Sequence, residues 1–432
     1  AYDQPQVSMA HQDLALGLTP TFGGLHPLTT RMGSKAAWDW IVSGRELNAS
    51  QAFERGLIDH LTQDTQLPEL LTRLTSTPKS TLRQKQRQIG NFFSRFKLLH
   101  TIPIRQLITH YYPAQHYPAS QHLLTNWKSH ATKPHNRRNL EAQTFADLVL
   151  DAPSVHLVYL KQAEQRLQAT LPPAFTELPH VYIVGVGEAG QFLATTLLQQ
   201  GCKVTLREPN TEQRQQAENA LKQRLLMLNP PELLPELLQR LIWVKTQGII
   251  NADIVIETIP DQLRAKQELL AELEECTPDS SLLITTSLAY KLNDLIAPML
   301  QPQRVIGLHL FTPYESNNIV EVIHAPNITK SNTIERTLKF VRLMHKLPLI
   351  LPSQHSFALY RILIIYLFQG MRLQQQGVPI SIVDQAARDF GMRYGPLELA
   401  DHIGLDTCLQ LGEIAKQQLG LEIPASLRNM VT

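Results

Sequence analysis

A histidine and a glutamate lie twelve residues apart in this 432-residue sequence, as His309 in GLHLFTP and Glu321 in NNIVEVI. An imidazole is the side chain best suited to accept a proton near neutral pH. A carboxylate against its other ring nitrogen would fix the tautomer and stabilise the imidazolium that forms. A strand-end histidine on its own is more often structural, so a catalytic role also requires a binding fold around the pair. We interpret His309 as a base toward a hydroxyl group and Glu321 as its orienting partner.

A glycine motif in a strand–helix context supplies such a fold. The apolar run VYIVGV leads into GVGEAG and then into a helical pattern, with a second strand close behind. In this context Gly185 would make a tight turn, Gly187 would admit backbone amides to a pyrophosphate, and Gly190 would let the helix pack on the strand. The diphosphate would lie at the positive end of that helix. The alternative is a glycine-rich turn in a sheet that binds something else.

An acidic residue at the end of the second strand, Glu208, favours NAD over NADP. A carboxylate at this point binds both ribose hydroxyls of the adenosine and repels a 2′-phosphate. Arg207 beside it weakens this inference, because an arginine can accommodate that phosphate. Glu188, inside the phosphate loop, would be unfavourable unless it points to solvent. The predicted cofactor is NAD.

Apolar strands alternate with helices between residues 176 and 353. The predicted strands are 181–186, 203–208, 252–259, 281–287 and 304–311, and the predicted helices include 190–200, 211–228 and 263–275. Continuous apolar strands that alternate with helices indicate a parallel sheet covered on both faces. The segment 354–432 returns to helical periodicity. We therefore predict an α/β fold, a Rossmann-type parallel sheet followed by an all-helical domain.

Composition excludes several classes of protein. A net charge of +2 without a concentrated basic face argues against nucleic-acid and membrane-surface binding. No apolar run approaches the length of a membrane span. The three cysteines have no CxxC spacing, and sixteen histidines form no HExxH pattern, so we expect neither a disulfide framework nor a metal site. These features and the absence of signal-peptide features at the N-terminus predict a cytoplasmic protein.

The order of these motifs carries a resemblance to a known family. GVGEAG, VIETIPDQLRAK, GLHLFTP with IVEVI, and GPLELADHIGLD together resemble the L-3-hydroxyacyl-CoA dehydrogenases of fatty-acid β-oxidation. Upstream, LGLTPTFGGLHPLTTRMGSKAAWDW and the residues after it resemble the C-terminal half of an enoyl-CoA hydratase (crotonase-type) domain. HYPAS and EAQTFADLVLDAPSVHLVYLKQ resemble the connecting helices of the multifunctional fatty-acid oxidation α-subunit. The resemblance covers nearly the whole chain in the right order.

The resemblance implies roles for further residues. His309 is similar to the family's catalytic base and Glu321 to its partner, and the substrate would be an L-3-hydroxyacyl-CoA. Asp261 and Lys266 fall where the family places an acidic residue and a lysine beside the cofactor and CoA substrate. Asp261 is one methylene shorter than the family's glutamate.

Other positions depart from the family pattern. Thr312 stands where the family has asparagine, and Tyr360 takes the asparagine position of the family's PGF-x-x-NR signature. The SNTS motif has become ITTS, so the substrate-binding serine is either Ser287 or is lost to Leu288. Such polar groups hold the substrate carbonyl and the histidine, so their loss would cost transition-state stabilisation.

The domain prediction follows the resemblance. Residues 1–62 form a partial crotonase-like segment, 63–175 a helical connecting region, 176–353 the NAD-binding domain, and 354–432 the helical dehydrogenase domain. We expect no hydratase activity, because the family's oxyanion loop and first glutamate precede the part present and Asp13 takes the second glutamate position. The sequence is interpreted as a fragment of a longer protein or a truncated product.

Three interpretations of function stay open. The first is NAD-dependent oxidation of L-3-hydroxyacyl-CoA to 3-ketoacyl-CoA, with a thiolase subunit or a second copy as partner. The second is a weakened or inactive homologue that binds NAD or acyl-CoA as a scaffold, which the changes at Thr312, Tyr360 and Ser287/Leu288 suggest. The third, another Rossmann dehydrogenase that acts on a small hydroxy acid, leaves the hydratase-like segment unexplained.

Overall fold

The computed structural model describes residues 8–21, 24–62, 66–76, 101–132, 136–246, 248–287, 290–315, 317–353 and 358–431. The chain divides into two compact units, Ala1–Gln165 and Arg166–Thr432. No helix within these described ranges is long and apolar enough to cross a membrane.

The first unit is mainly helical. Two short strands, β1 (Ser8–Met9) and β2 (Leu47–Asn48), pair antiparallel. The helices are α1 (Leu25–Met32), α2 (Ser34–Ser43), α3 (Ala49–Glu54), α4 (Leu67–Ser76), α5 (Thr101–Tyr111), α6 (Pro118–Thr132), α7 (Arg137–Val149) and α8 (Ala152–Thr170), the last of which crosses the unit boundary.

Two tryptophans define the core of this unit. The rings of Trp38 on α2 and Trp127 on α6 meet edge to face at 5.3 Å between centroids. Such pairs add to the burial of apolar surface. Residues on both sides of position 62 therefore contribute to one hydrophobic core. The domain boundaries proposed from the sequence stay predictions.

The second unit begins with an eight-stranded sheet. Its strands are β3 (His180–Val184), β4 (Lys203–Arg207), β5 (Leu241–Val244), β6 (Ile254–Glu257), β7 (Leu282–Thr285), β8 (Val305–His309), β9 (Ile319–His324) and β10 (Leu347–Pro352). They lie in the order β10-β9-β8-β7-β6-β3-β4-β5, and every pair is parallel except β8 with β9. The helices between them are α9 (Glu188–Gln199), α10 (Thr211–Leu228), α11 (Leu234–Gln239), α12 (Leu263–Cys276), α13 (Leu292–Ile296) and α14 (Ser331–Leu343).

Alternate side chains of the strands build a core on each face of the sheet. Val181 and Ile183 point into the core that includes Leu197 of α9, whereas Tyr182 and Val184 point into the core that includes Leu270 of α12. Side chains of a strand alternate in this way, and apolar runs buried on both sides are typical of parallel sheets. The predicted Rossmann-type parallel sheet is confirmed.

A helical domain follows the sheet, as the sequence predicts. Its helices are α15 (Ala358–Gln375), α16 (Ile380–Phe390), α17 (Pro396–Ile403), α18 (Leu405–Leu419) and α19 (Ala425–Val431). Leu367 and Phe368 of α15 are buried in the centre of this domain. Phe311, from the loop after β8, is buried in the same cluster, so the sheet and the helices share a contact at the end of β8.

Candidate active site

The strand order reverses at β3, which lies between β4 and β6. In open α/β sheets, ligands bind at the carboxyl ends of the strands where the order reverses. The glycine motif follows β3 at this point. Gly185 has φ +99°, a backbone conformation that favours glycine. The turn is held by the Thr258 hydroxyl at the end of β6, which donates to the carbonyls of Val184 and Gly185 at 3.0 Å each.

The other two glycines differ in their surroundings. A Cβ on Gly190 would lie 2.3 Å from the Gly185 carbonyl oxygen, so helix α9 packs on the turn only without a side chain there. A Cβ on Gly187 would meet no atom of the described residues within 4 Å. Gly187 precedes α9, and no side chain in the described part of the chain caps the helix, while Glu188 is exposed. Open space at an uncapped helix N-terminus fits a diphosphate.

The acid after β4, Glu208, is buried, and its Oε1 accepts a hydrogen bond from the Asn210 backbone amide at 2.9 Å. The Arg207 guanidinium turns to α12, where it pairs with Glu272 at 3.4 Å. The arginine is therefore engaged away from the end of β4. This arrangement fits the adenosine ribose of NAD, with a carboxylate rather than a guanidinium at that end.

His309 and Glu321 form a buried pair at the end of β8. Their Nδ1 and Oε2 atoms are 3.0 Å apart, and the two residues are directly opposite in the register of β8 and β9. The side chains are 2% and 0% exposed. The Glu321 Oε1 accepts a hydrogen bond from the backbone amide of Leu359, in the first turn of α15, at 2.9 Å. The carboxylate thus lies between the imidazole and the N-terminus of α15.

Tyr360, next along α15, is buried against Phe311, with 5.1 Å between ring centroids. Burial raises the pKa of its phenol, and the nearby Tyr314, Glu321, Cys408 and Asp261 add to the rise. The tyrosine that replaces the family's asparagine therefore stands, as a neutral phenol, beside the dyad.

The loop between β8 and β9 is fixed by a lysine. The Lys346 ammonium donates to the carbonyls of Tyr314 at 2.7 Å and Asn317 at 2.6 Å. Tyr314 stacks on Phe192 of α9, with 5.2 Å between centroids. Thr312 lies in this loop, half-buried, and its side chain hydrogen-bonds that of Tyr314, whose pKa burial raises. Lys346 and Tyr314 were not identified from the sequence, because no pattern links them to the histidine.

The remaining predicted residues lie at the neighbouring strand ends. Lys266 of α12 is buried, and its Nζ is 2.9 and 2.7 Å from the two oxygens of Glu257 and 3.4 Å from Asp261 Oδ1. Ser287, also buried, follows β7, and its Oγ accepts from the Tyr290 amide at 3.4 Å. Leu288, the alternative to Ser287, lies outside the described residues.

Glu257 was missed by the sequence analysis. The visible signal is a carboxylate inside the apolar run ADIVIETI. Buried charges in such positions are almost always paired. Among the described residues, no group of three or more histidine, cysteine, aspartate or glutamate side chains could hold a metal ion.

Two family models match the second unit of the chain. Residues 180–354 match the 3-hydroxyacyl-CoA dehydrogenase NAD-binding domain, and residues 357–432 match the C-terminal domain of the same family. Together the two matches span more than half of the chain. The protein belongs to the 3-hydroxyacyl-CoA dehydrogenase family of fatty-acid oxidation, a class of NAD-dependent oxidoreductases, and NAD is its cofactor.

Solved structures show the same fold. The chain is 27% identical to 3-hydroxybutyryl-CoA dehydrogenase from Escherichia coli K12, with a TM-score of 0.54, and the match covers 59% of this chain and 56% of that one. FadB2 from M. tuberculosis is 24% identical over 59% of this chain and 94% of its own, with a TM-score of 0.56. (S)-3-hydroxybutyryl-CoA dehydrogenase PaaH1 from Ralstonia eutropha is 22% identical over 59% and 94%, with a TM-score of 0.54.

Proposed function

We propose that the protein oxidises L-3-hydroxyacyl-CoA to 3-ketoacyl-CoA in fatty-acid β-oxidation, with His309 as the base. The observation that carries this proposal is the buried pair of His309 and Glu321, 3.0 Å apart, at the carboxyl edge of a sheet whose glycine turn fits NAD. Oxidation of a secondary alcohol requires removal of the hydroxyl proton, and this pair supplies a base in a fixed tautomer.

The proposed mechanism uses both ring nitrogens of His309. A carboxylate only accepts hydrogen bonds, so we assign the ring hydrogen of His309 to Nδ1 and the basic lone pair to Nε2. Nε2 then takes the proton from the C3 hydroxyl of the substrate. The imidazolium that results is stabilised by Glu321, whose other oxygen is held by the Leu359 amide. Bound NAD supplies the acceptor for the hydride that leaves C3.

The other site residues are assigned to binding. We assign Gly185, Gly187 and Gly190 to the diphosphate and Glu208 to the adenosine ribose. Asp261 and Lys266 belong to the same binding region through their ion pair. Ser287 and Thr312 are assigned to the substrate, since each lies in a loop at the carboxyl end of a strand.

A second candidate function is a scaffold that binds NAD or acyl-CoA without efficient turnover. The observation in its favour is the bulk of Tyr360, a buried aromatic ring beside Glu321 where the family has asparagine. The Thr312 hydroxyl is in addition engaged with Tyr314. These contacts would weaken substrate orientation without disturbing the glycine turn.

The partners are proposed from the surface of the helical domain. Ile362 and Ile365 are exposed on α15 at a spacing that places them on one face. A second copy of this chain would cover this face in a homodimer, and a thiolase subunit is the alternative. Free cysteines at positions 202, 276 and 408 support a reducing, cytoplasmic location.

The test is the reverse reaction with acetoacetyl-CoA and NADH, followed by NADH absorbance. We expect oxidation of NADH by the wild-type protein and its loss in His309→Gln with unchanged NADH binding in calorimetry. His324→Gln, at the opposite end of the β8–β9 pair from His309, is the matched control and retains turnover. Folded wild-type protein that binds NADH but does not oxidise it would refute the enzyme and support the scaffold.

A further inference from the structure

A fully buried carboxylate, Glu257, ends strand β6 beside the glycine turn. Its two oxygens are 2.9 and 2.7 Å from the Lys266 ammonium, and its Oε2 accepts from the Ile259 amide at 3.3 Å. The Thr285 hydroxyl donates to Oε1. An ion pair in this environment costs desolvation and often stabilises a fold no more than apolar residues of the same volume. We therefore ask which neighbouring residues the Glu257–Lys266 pair holds in position.

The first connection runs through Lys266 to Asp261. The lysine side chain is 1% exposed, and its ammonium lies between Glu257 and Asp261 Oδ1, the latter at 3.4 Å. An ammonium has three hydrogens and no acceptor, so contacts with two carboxylates largely fill its capacity. Lys266 thus holds the Asp261 carboxylate in place through an ion pair and does not itself contact a bulky ligand.

The second connection runs through Thr285 to Ser287. Because an ionised carboxylate only accepts, the Thr285 hydroxyl must donate to Glu257, and its lone pairs are left to face other donors. The Ser287 amide donates to that oxygen at 3.3 Å. The direction of this hydroxyl, and with it the loop that carries Ser287, is therefore set by the charge on Glu257.

We propose that Glu257 is a positioning residue that places Asp261 for the cofactor and Ser287 for the acyl-CoA substrate from one buried charge. The inference rests on the proposed function, since it takes the binding roles of these two residues from there. Glu257 touches neither ligand in this scheme; it acts through Lys266 and Thr285.

Variants that remove one connection at a time should affect the binding of only one of the two ligands. Lys266→Met should weaken NADH binding about tenfold, roughly one charge-assisted hydrogen bond, and leave the Kd of acetoacetyl-CoA within about twofold. Thr285→Val should do the reverse, raising the Kd and KM of acetoacetyl-CoA with NADH binding unchanged. Thr277→Val is the matched control, because that buried hydroxyl also contacts a charged side chain, Arg304, at 3.1 Å. If both site variants affect both ligands alike, or neither, the proposal fails.

A double variant keeps the test valid if a lone buried charge prevents folding. Glu257→Leu with Lys266→Met removes both charges and should unfold near the wild-type temperature, because apolar replacements of a buried pair are commonly tolerated. We expect both Kd values to rise by about tenfold in this folded protein. Wild-type affinities in the double variant would overturn the proposal. Calorimetry reports these affinities without turnover, so an inactive wild type would refute only the proposed function.

Discussion

His309 and Glu321 are cross-strand neighbours on the antiparallel pair β8 and β9, with 3.0 Å between Nδ1 and Oε2. Directly opposite residues of antiparallel strands have neighbouring Cβ atoms, so the backbone register alone brings the two side chains together. The antiparallel pairing of β9 with β8, in a sheet whose other strand pairs are parallel, therefore places Glu321 opposite His309. Leu359 then joins the helical domain to the same carboxylate.

The dyad can be tested at Glu321 without changing its shape. In Glu321→Gln the amide offers one acceptor and one donor side, whereas Leu359 N–H and His309 Nδ1–H are both donors. The variant should favour the wrong imidazole tautomer and lower kcat by roughly 10²- to 10⁴-fold, as general-base losses do. Steady-state kinetics with acetoacetyl-CoA and NADH measure the effect. An unchanged kcat in folded protein would show that Glu321 does not orient the base.

The glycine turn offers two substitutions that differ only in their neighbours. Gly190→Ala places a methyl group 2.3 Å from the Gly185 carbonyl oxygen, so we expect loss of stability or of soluble protein. Gly187→Ala meets nothing within 4 Å in the described residues and should fold normally, but its methyl group occupies the space assigned to the diphosphate. Thermal unfolding and NADH calorimetry separate the two effects. A Gly187→Ala protein with wild-type NADH affinity would contradict the assignment.

The sequence predicts five strands of the eight-stranded sheet and misses three others. Strands β3, β4, β6, β7 and β8 are apolar runs largely buried on both faces, which is the pattern that the prediction relied on. The strand β5 is short and half-buried, β10 contains Pro348 and Pro352, and β9 carries Glu321 in its middle. Both β5 and β10 lie at the edges of the sheet, where prolines and partial exposure are tolerated.

The residues of the site also fall into a predicted group and a missed group. Residues with a recognisable motif, such as Gly185 and His309, lie where the sequence analysis expected strand ends. The contacts that hold them were not predictable: the Leu359 amide is backbone, which has no sequence signature, and the apolar run that contains Glu257 does not reveal its partner Lys266. Their roles arise from long-range packing, which local patterns do not encode.

Cofactor choice should depend on Glu208. Because Arg207 forms an ion pair with Glu272, the group available at the carboxyl end of β4 is the Glu208 carboxylate, which repels a 2′-phosphate. Glu208→Ser should weaken NADH binding and lower the preference for NADH over NADPH by about tenfold. Calorimetry with both cofactors measures the ratio, and Glu212→Gln, an exposed acid on α10, is the control. If the preference does not change in Glu208→Ser, another residue selects the cofactor.

Two substitutions at Tyr360 separate packing from chemistry. Tyr360→Phe keeps the ring against Phe311 and should change the free energy of unfolding by less than about 1 kcal/mol. Tyr360→Asn removes the ring and should cost roughly 2 to 5 kcal/mol, as large-to-small changes in a core do. Urea denaturation gives both values.

The phenol of Tyr360 should not contribute a titration to the pH dependence of kcat. Burial raises its pKa, so it stays neutral through the range of a dehydrogenase assay. The kcat–pH curve of Tyr360→Phe should therefore have the wild-type shape. A lost or displaced limb in that curve would show that the phenol exchanges a proton during turnover.

His180, at the start of β3, makes stability depend on pH. Burial lowers its pKa; a hydrogen bond to the Asn251 carbonyl and the charge of Asp253 oppose the shift, and Lys203 adds to it. The unfolded chain therefore binds this proton more tightly, so the free energy of unfolding should fall as the pH drops below the ordinary histidine value of about 6.5. This loss ends below the pKa of the folded state.

His180→Gln carries no proton at any of these pH values. Its unfolding temperature should therefore decrease less between pH 8 and pH 5 than that of the wild type, although loss of the contacts with Asn251 and Thr205 lowers both values. Calorimetric scans at pH 8, 6.5 and 5 give the two slopes, and an NMR titration of the ring gives the pKa directly. Parallel slopes, or a ring that titrates at its ordinary value in folded protein, would contradict this linkage.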